Sequence, residues 1–191
     1  MSRIYVRGRG WAFSSNDFVE NFSRKQIDNA LSDLAHAGTI RRVCRGIYDY
    51  PKFSKLLQQQ LSPDFDQVAR AFARKFNWRI HPSGEAALNL LGLSTQVPGR
   101  IVYLSDGPSR QYDLGNSTLE FKKSALKDVG FRYRESALVV HALKALGKER
   151  VDEGVITTIR GQLDDEARKR VLKDAVTATG WVYEAIKKIC S

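Results

Sequence analysis

The chain has 191 residues, 42% of them hydrophobic, and a formal net charge of +10. That length and apolar content fit one or two domains with a proper core and exclude a disordered chain. The charge favours a polyanionic partner, nucleic acid ahead of an acidic protein or membrane surface.

Several classes fall away at once. No window of about 18 apolar residues exists, so no membrane span is expected. Cys44 and Cys190 lie far apart and the three histidines are scattered, which sets neither a disulfide framework nor a zinc site. No metal and no cofactor are expected. No apolar segment follows Met1-Ser2-Arg3, so no signal peptide is expected and the protein is read as cytoplasmic.

In chain order, Arg7-Gly8-Arg9-Gly10 reads as a flexible lead-in whose arginines suit phosphate. Residues 14–19 predict a short capped helix. Ser23 then caps a longer one, in which Ile27, Ala30, Leu31 and Leu34 recur at helical spacing and which Gly38 ends. Residues 39–45 and 47–50 are β-rich runs around Gly46, a hairpin signal. Helix, turn, capped helix and basic hairpin in this order make a winged helix-turn-helix over residues 1–55. The prolines and glutamines between Pro51 and Pro63 read as a boundary.

A second domain, residues 63–191, is expected to be mixed α/β with a helical C-terminus, giving an α+β chain overall. Ser62-Pro63-Asp64 opens a helix with an apolar stripe at Phe65, Val68, Ala69, Phe72 and Phe76. Ser83 caps a short helix ended by Gly92. Residues 100–104 form a strand, and Gly115-Asn116 joins a hairpin. Residues 136–146, 155–159 and 164–189 read as helices, with Gly180 as a break in the last.

On the second helix, Lys25, Asn29, Ser32 and His36 oppose the apolar side, with Gln26 and Asp33 flanking that face. An α-helix fits the major groove, and amide side chains pair bidentately with adenine. Lys25, Gln26 and Asn29 are therefore the expected base readers. Ser23 and Arg24 sit at the helix start, where backbone N–H groups favour phosphate. Arg41, Arg42 and Arg45 crowd the hairpin and suit phosphate or minor-groove contact. A merely solvated helix face reads the same way, and Asp28 and Asp33 repel phosphate.

No catalytic residue is assigned, and the protein is not expected to be an enzyme. His81-Pro82-Ser83-Gly84 lacks a nucleophile elbow and an acid partner, so Ser83 is read as a helix cap. Asp106-Gly107-Pro108-Ser109-Arg110 is first a turn and matches no P-loop. His141, among apolar helix residues, is read as structural.

Residues 9–13, Asp17-Phe18, Ser23-Arg24, Ala30-Leu31 and Gly46-Ile47-Tyr48-Asp49-Tyr50-Pro51 resemble the N-terminal part of AbiEi-type antitoxins. Pro82-Ser83-Gly84, Asn89-Leu90-Leu91-Gly92-Leu93-Ser94, Gln96-Val97-Pro98 and Tyr103-Leu104-Ser105-Asp106-Gly107-Pro108-Ser109-Arg110 are similar to a DUF6088-like branch of that family. The resemblance covers about residues 3–150. It implies the antitoxin of a type IV toxin–antitoxin pair, with a winged helix that binds double-stranded operator DNA and represses its own operon. It further implies a C-terminal domain that counteracts a nucleotidyltransferase-like toxin, with direct contact between the two left open. Arg100, Arg110, Lys122, Lys123, Arg132 and Arg134 are candidates for the antitoxin surface, against a reading as plain solvated charge. The alternative is a stand-alone winged-helix transcriptional regulator with a sensing or oligomerising C-terminal domain.

Overall fold

Helices and short strands alternate along the chain, making a mixed α/β protein. The computed structural model describes residues 2–96, 99–124 and 131–191; Val97 and Pro98 of the Gln96-Val97-Pro98 motif lie outside them. Among the described residues the strands form three sheets. β1 (Ala12–Phe13), β2 (Arg41–Cys44) and β3 (Ile47–Asp49) lie in the order β1-β3-β2. β4 (Phe53–Ser54) and β5 (Gln59–Gln60) form a hairpin. β6 (Ile80–Pro82), β7 (Arg100–Ser105), β8 (Arg110–Asp113) and β9 (Thr118–Lys123) lie in the order β6-β7-β9-β8.

The chain divides into two compact units, Met1–Ile80 with Gln111–Leu119, and His81–Arg110 with Glu120–Ser191. In the first, α1 (Ser2–Arg7), a 3-10 turn (Ser15–Phe18) and α2 (Arg24–His36) surround the three-stranded sheet. Both strand pairs are antiparallel, with Ala12 and Arg41 each opposite Asp49 and a bulge between Arg42 and Cys44. Ile4, Phe13, Phe18, Ile27, Leu31 and Ile40 form the core. Phe13 and Phe18 meet edge to face at 5.6 Å, the arrangement that ring quadrupoles favour.

α2 forms where local chemistry says it should. The Ser23 N–H donates to Gln26 Oε1 at 3.0 Å, while Gln26 N–H donates to Ser23 Oγ at 3.4 Å, a reciprocal cap. Gly38, at φ +69°, takes the left-handed conformation that ends the helix.

α3 (Phe65–Phe76) begins later than Ser62-Pro63 predicted. Asp64 is the cap, its carboxylate accepting from the N–H groups of Asp66 and Gln67 at 3.0 and 3.1 Å. A charged acceptor holds these donors more strongly than a hydroxyl does. Val68, Ala69, Ala71 and Phe72 are buried and α3 packs against β1 and β3, so α3 belongs to the first unit. By contacts, the first unit therefore runs on to Ile80, past the 51–63 stretch that the prolines mark as a boundary.

The second unit holds α4 (Gly84–Leu90), α5 (Arg134–Leu146), α6 (Glu153–Gly161), α7 (Asp165–Asp174) and α8 (Gly180–Cys190). They share a core that includes Leu91, Val139, Leu143, Ile159, Val171 and Ile186. A Cβ on Gly84 would stand 2.6 Å from Ala145 Cβ, so glycine permits the close approach of α4 to α5. Ser83 precedes α4 in extended conformation but makes no side-chain cap bond. The expected single helix 164–189 is two, parted by a 3-10 turn (Ala175–Thr177) and extended Ala178. Gly180 opens α8 and does not interrupt a helix. The turn lets Val171 on α7 and Ile186 on α8 reach one core, with α5 packed against both helices.

Candidate nucleic-acid interface

The start of α2 and the β2–β3 hairpin meet through a residue that sequence reading overlooked. Arg24 donates to Asn16 Oδ1 at 3.3 Å, and Asn16 Nδ2 donates to the Lys75 carbonyl at 2.9 Å. Lys75 Nζ reaches the Gly46 carbonyl, at the hairpin turn, at 3.4 Å. A Cβ on Gly46 would lie 2.4 Å from that ammonium, and Gly46 has φ +77°. Glycine is therefore favoured at this turn by its backbone conformation, and a side chain there would have to displace the Lys75 ammonium.

Electrostatics report the same convergence. Burial lowers the Lys75 pKa most; the charges of Arg24 and Arg45 push the same way, and Cys44 opposes them. Burial raises the Cys44 thiol against Lys75 and Arg42, so its basic neighbours do not make it a reactive thiolate. Arg24, Arg42, Arg45 and Lys75 thus lie within each other's or Cys44's electrostatic reach. Among the described residues, Lys25, Arg42 and Arg45 enter no ion pair. Such a cluster of like charges makes the local potential positive.

The remaining expected residues divide. Lys25 and Asn29 are exposed on the outer side of α2. Ser23 and Gln26 are joined in the cap, and Gln26 lines an apolar groove with Ile4, Phe22, Ala30 and Leu34. Gln26 is therefore a capping residue first and lies away from the Lys25–Asn29 face. Arg41 departs furthest from expectation. Its Nε and Nη2 donate to the two Asp49 carboxylate oxygens at 3.0 and 2.6 Å, and its Nη1 donates to the Leu61 carbonyl at 3.0 Å. Asp49 is 2% exposed, so its carboxylate needs this fork, and Arg41 is a structural partner and not a phosphate contact.

Residues 2–171 match a family described as a family of unknown function, DUF6088. The chain belongs to that family. No curated protein matches the chain. Among solved structures, this DUF6088 chain is similar to the RV2827C protein from Mycobacterium tuberculosis, at 13% identity and a TM-score of 0.41, over 94% of this chain and 71% of that one.

In the second unit of the DUF6088 protein the expected cations do not converge on one partner, and the Lys122 and Lys123 side chains enter no ion pair among the described residues. Arg100 is paired with Glu120, which raises the arginine's pKa and, with Lys122 nearby, lowers that of the carboxyl. The Lys123 N–H donates to Ser109 Oγ at 3.0 Å. The N–H groups of Arg132 and Tyr133 donate to Asp174 at 3.1 and 3.0 Å, and the Arg132 guanidinium lies 5.6 Å from the Tyr133 ring. Arg110 and Arg134 are each engaged in further contacts. His81 is pushed down to about 4, by burial first and then by His141, against Asp106. His81 Nδ1 and His141 Nε2 are buried and make no hydrogen bond. Both features suit neutral structural histidines. Among the described residues no cluster of His, Cys, Asp or Glu is placed to hold a metal, and no helix is long and apolar enough to cross a membrane.

Proposed function

We propose that the 3-10 turn, α2 and the β1-β3-β2 sheet act as a winged helix-turn-helix on double-stranded operator DNA. The observation that carries this reading is the convergence of Arg24, Arg42, Arg45 and Lys75 where a capped helix start meets a hairpin turn. In the reading, α2 enters the major groove with Lys25 and Asn29 toward base edges. Arg24, Arg42, Arg45 and Lys75 hold phosphates on either side. Phosphate contacts fix the register and confer salt dependence; the base contacts confer selectivity.

We further propose that the protein is the antitoxin of a type IV toxin–antitoxin pair, repressing its own operon and counteracting a nucleotidyltransferase-like toxin. This part is supported by the likeness of Tyr103–Arg110 and its companion motifs to the DUF6088-like antitoxins. It assigns no catalytic role to any residue.

Gel shifts at several salt concentrations test the DNA reading. Lys25→Ala and Asn29→Ala should each reduce preference for operator over random DNA, by an amount worth ~1–3 kcal/mol where a bidentate base contact is lost. Arg42→Ala and Lys75→Ala should weaken binding to all sequences and reduce the salt slope by about 1 each. Unaltered binding in all four variants contradicts the assigned surface. For the antitoxin reading, co-expression with a neighbouring nucleotidyltransferase-like gene should restore growth. Continued toxicity at full antitoxin expression removes that claim.

A further inference from the structure

A second basic feature lies in the first unit, apart from the α2 face. An open cleft of about 360 Å³ is lined by Arg7, Arg9, Lys52, Arg70 and Arg74 around Trp11, with Asp64 as the carboxylate in its lining. Asp64 is already engaged as the α3 cap. Arg70 is paired with Asp66 at 2.7 Å and Arg74 with Asp17 at 2.6 Å. Arg9 instead meets neutral groups, donating to the Pro51 carbonyl at 2.8 Å and lying 4.6 Å from the centre of the Tyr50 ring. Arg7 lies 5.8 Å from the centre of the Trp11 ring system. Lys52 passes so close to Gly10 that a Cβ there would stand 2.4 Å from its Cε.

Backbone geometry builds this arrangement. Gly8 and Gly10 have φ of +82° and +95°, so the Arg7-Gly8-Arg9-Gly10 run turns twice and delivers both arginines to one cleft. The three cations without a carboxylate, Arg7, Arg9 and Lys52, are exposed, and the cleft gathers their like charges at one place. An anion is drawn to such a cluster. A carboxylate brings a single charge and two oxygens. A phosphoryl group brings up to two charges and three oxygens, which suits two guanidinium forks and an ammonium.

We infer that the cleft around Trp11 binds a phosphate group. The group belongs either to the DNA backbone outside the α2 face, where each phosphodiester brings one charge and two free oxygens and successive phosphates share the three cations, or to a free molecule whose terminal phosphoryl group brings two charges to them at once. The second source stands independently of the winged-helix reading.

The test uses the full-length chain and the double variant Arg7→Gln/Lys52→Gln, which leaves the Arg9–Pro51 contact in place. Lys148→Gln/Lys173→Gln, which removes the same charge from exposed positions of the other unit, is the control. Calorimetric titration with inorganic pyrophosphate should show binding to the parent chain, at least tenfold weaker binding to the cleft variant, and no change in the control. Salt titrations with a random-sequence 20-bp duplex identify the source. A log–log slope shallower by about 2 in the cleft variant assigns the site to backbone phosphates, and an unchanged slope with weakened pyrophosphate binding assigns it to a free ligand. Pyrophosphate and duplex affinities unaltered in the cleft variant overturn the inference. Equal losses in the control, or displacement by oligoglutamate but not by pyrophosphate, overturn it as well. Should the parent chain bind no duplex at any salt, the winged-helix reading fails, while the pyrophosphate arm still decides the cleft. Thermal melts verify folding, and Lys52→Gln alone serves if the double variant does not fold.

Discussion

The Asp49 carboxylate is accommodated in the interior of the first unit because Arg41 grips both its oxygens. The guanidinium is 28% exposed and the carboxylate 2%, so the pair is buried on one side and wet on the other. Removing the arginine leaves a carboxylate with neither water nor partner. Arg41→Ala should therefore lower stability by about 2–4 kcal/mol, toward the lower part of what a lost buried pair costs because the arginine is partly solvated. Arg42→Ala, one residue on and exposed, should change stability by no more than about 0.5 kcal/mol. Urea denaturation of the two variants compares them; equal losses would contradict the assigned roles. Neighbouring arginines with such different duties look alike in the sequence. Their difference comes from Asp49, which stands opposite Arg41 across the β2–β3 ladder and whose burial no local pattern announces. Lys75 is hidden for the same reason, since its place beside Gly46 depends on how α3 packs.

At the scale of elements, legibility follows how local the stabilising chemistry is. α2 was readable because its cap, its apolar stripe and its glycine stop all lie within its own stretch of chain. Gln26→Ala should accordingly lower stability by about 0.5–1 kcal/mol through the cap and leave operator preference unchanged, unlike Asn29→Ala. Denaturation together with competition gel shifts measures both, and a loss of preference without a loss of stability would return Gln26 to the base-reading set. α1 was not readable. It is six residues long, too short to be stable alone, and is held by Ile4 inserted into the core. The β4–β5 hairpin is likewise fixed from outside, by Arg9 on the Pro51 carbonyl and Arg41 on the Leu61 carbonyl. The C-terminal pair α7 and α8 read as one helix because apolar periodicity continues across the 3-10 turn, and periodicity carries no record of direction.

Across the whole molecule, the net charge of +10 is concentrated by the fold and not merely spread over it. The first unit gathers one cluster at the α2 start and hairpin turn and another around Trp11, while several cations of the second unit are tied to carboxylates or backbone. The mixed α/β class and the basic N-terminal region were legible in composition and pattern. The split after Ile80 was not, because α3 joins the first unit through long-range contacts such as Arg74 with Asp17 and with the Ala12 carbonyl. The most direct test of the DNA reading is equilibrium binding of the full-length protein, at near-physiological salt, to the duplex immediately upstream of its own coding region and to a scrambled duplex of equal length. Tighter binding to the upstream duplex by about 10³-fold or more is expected, with affinity for both falling steeply as salt rises. Equal affinity for the two duplexes, or binding indifferent to salt, would contradict it.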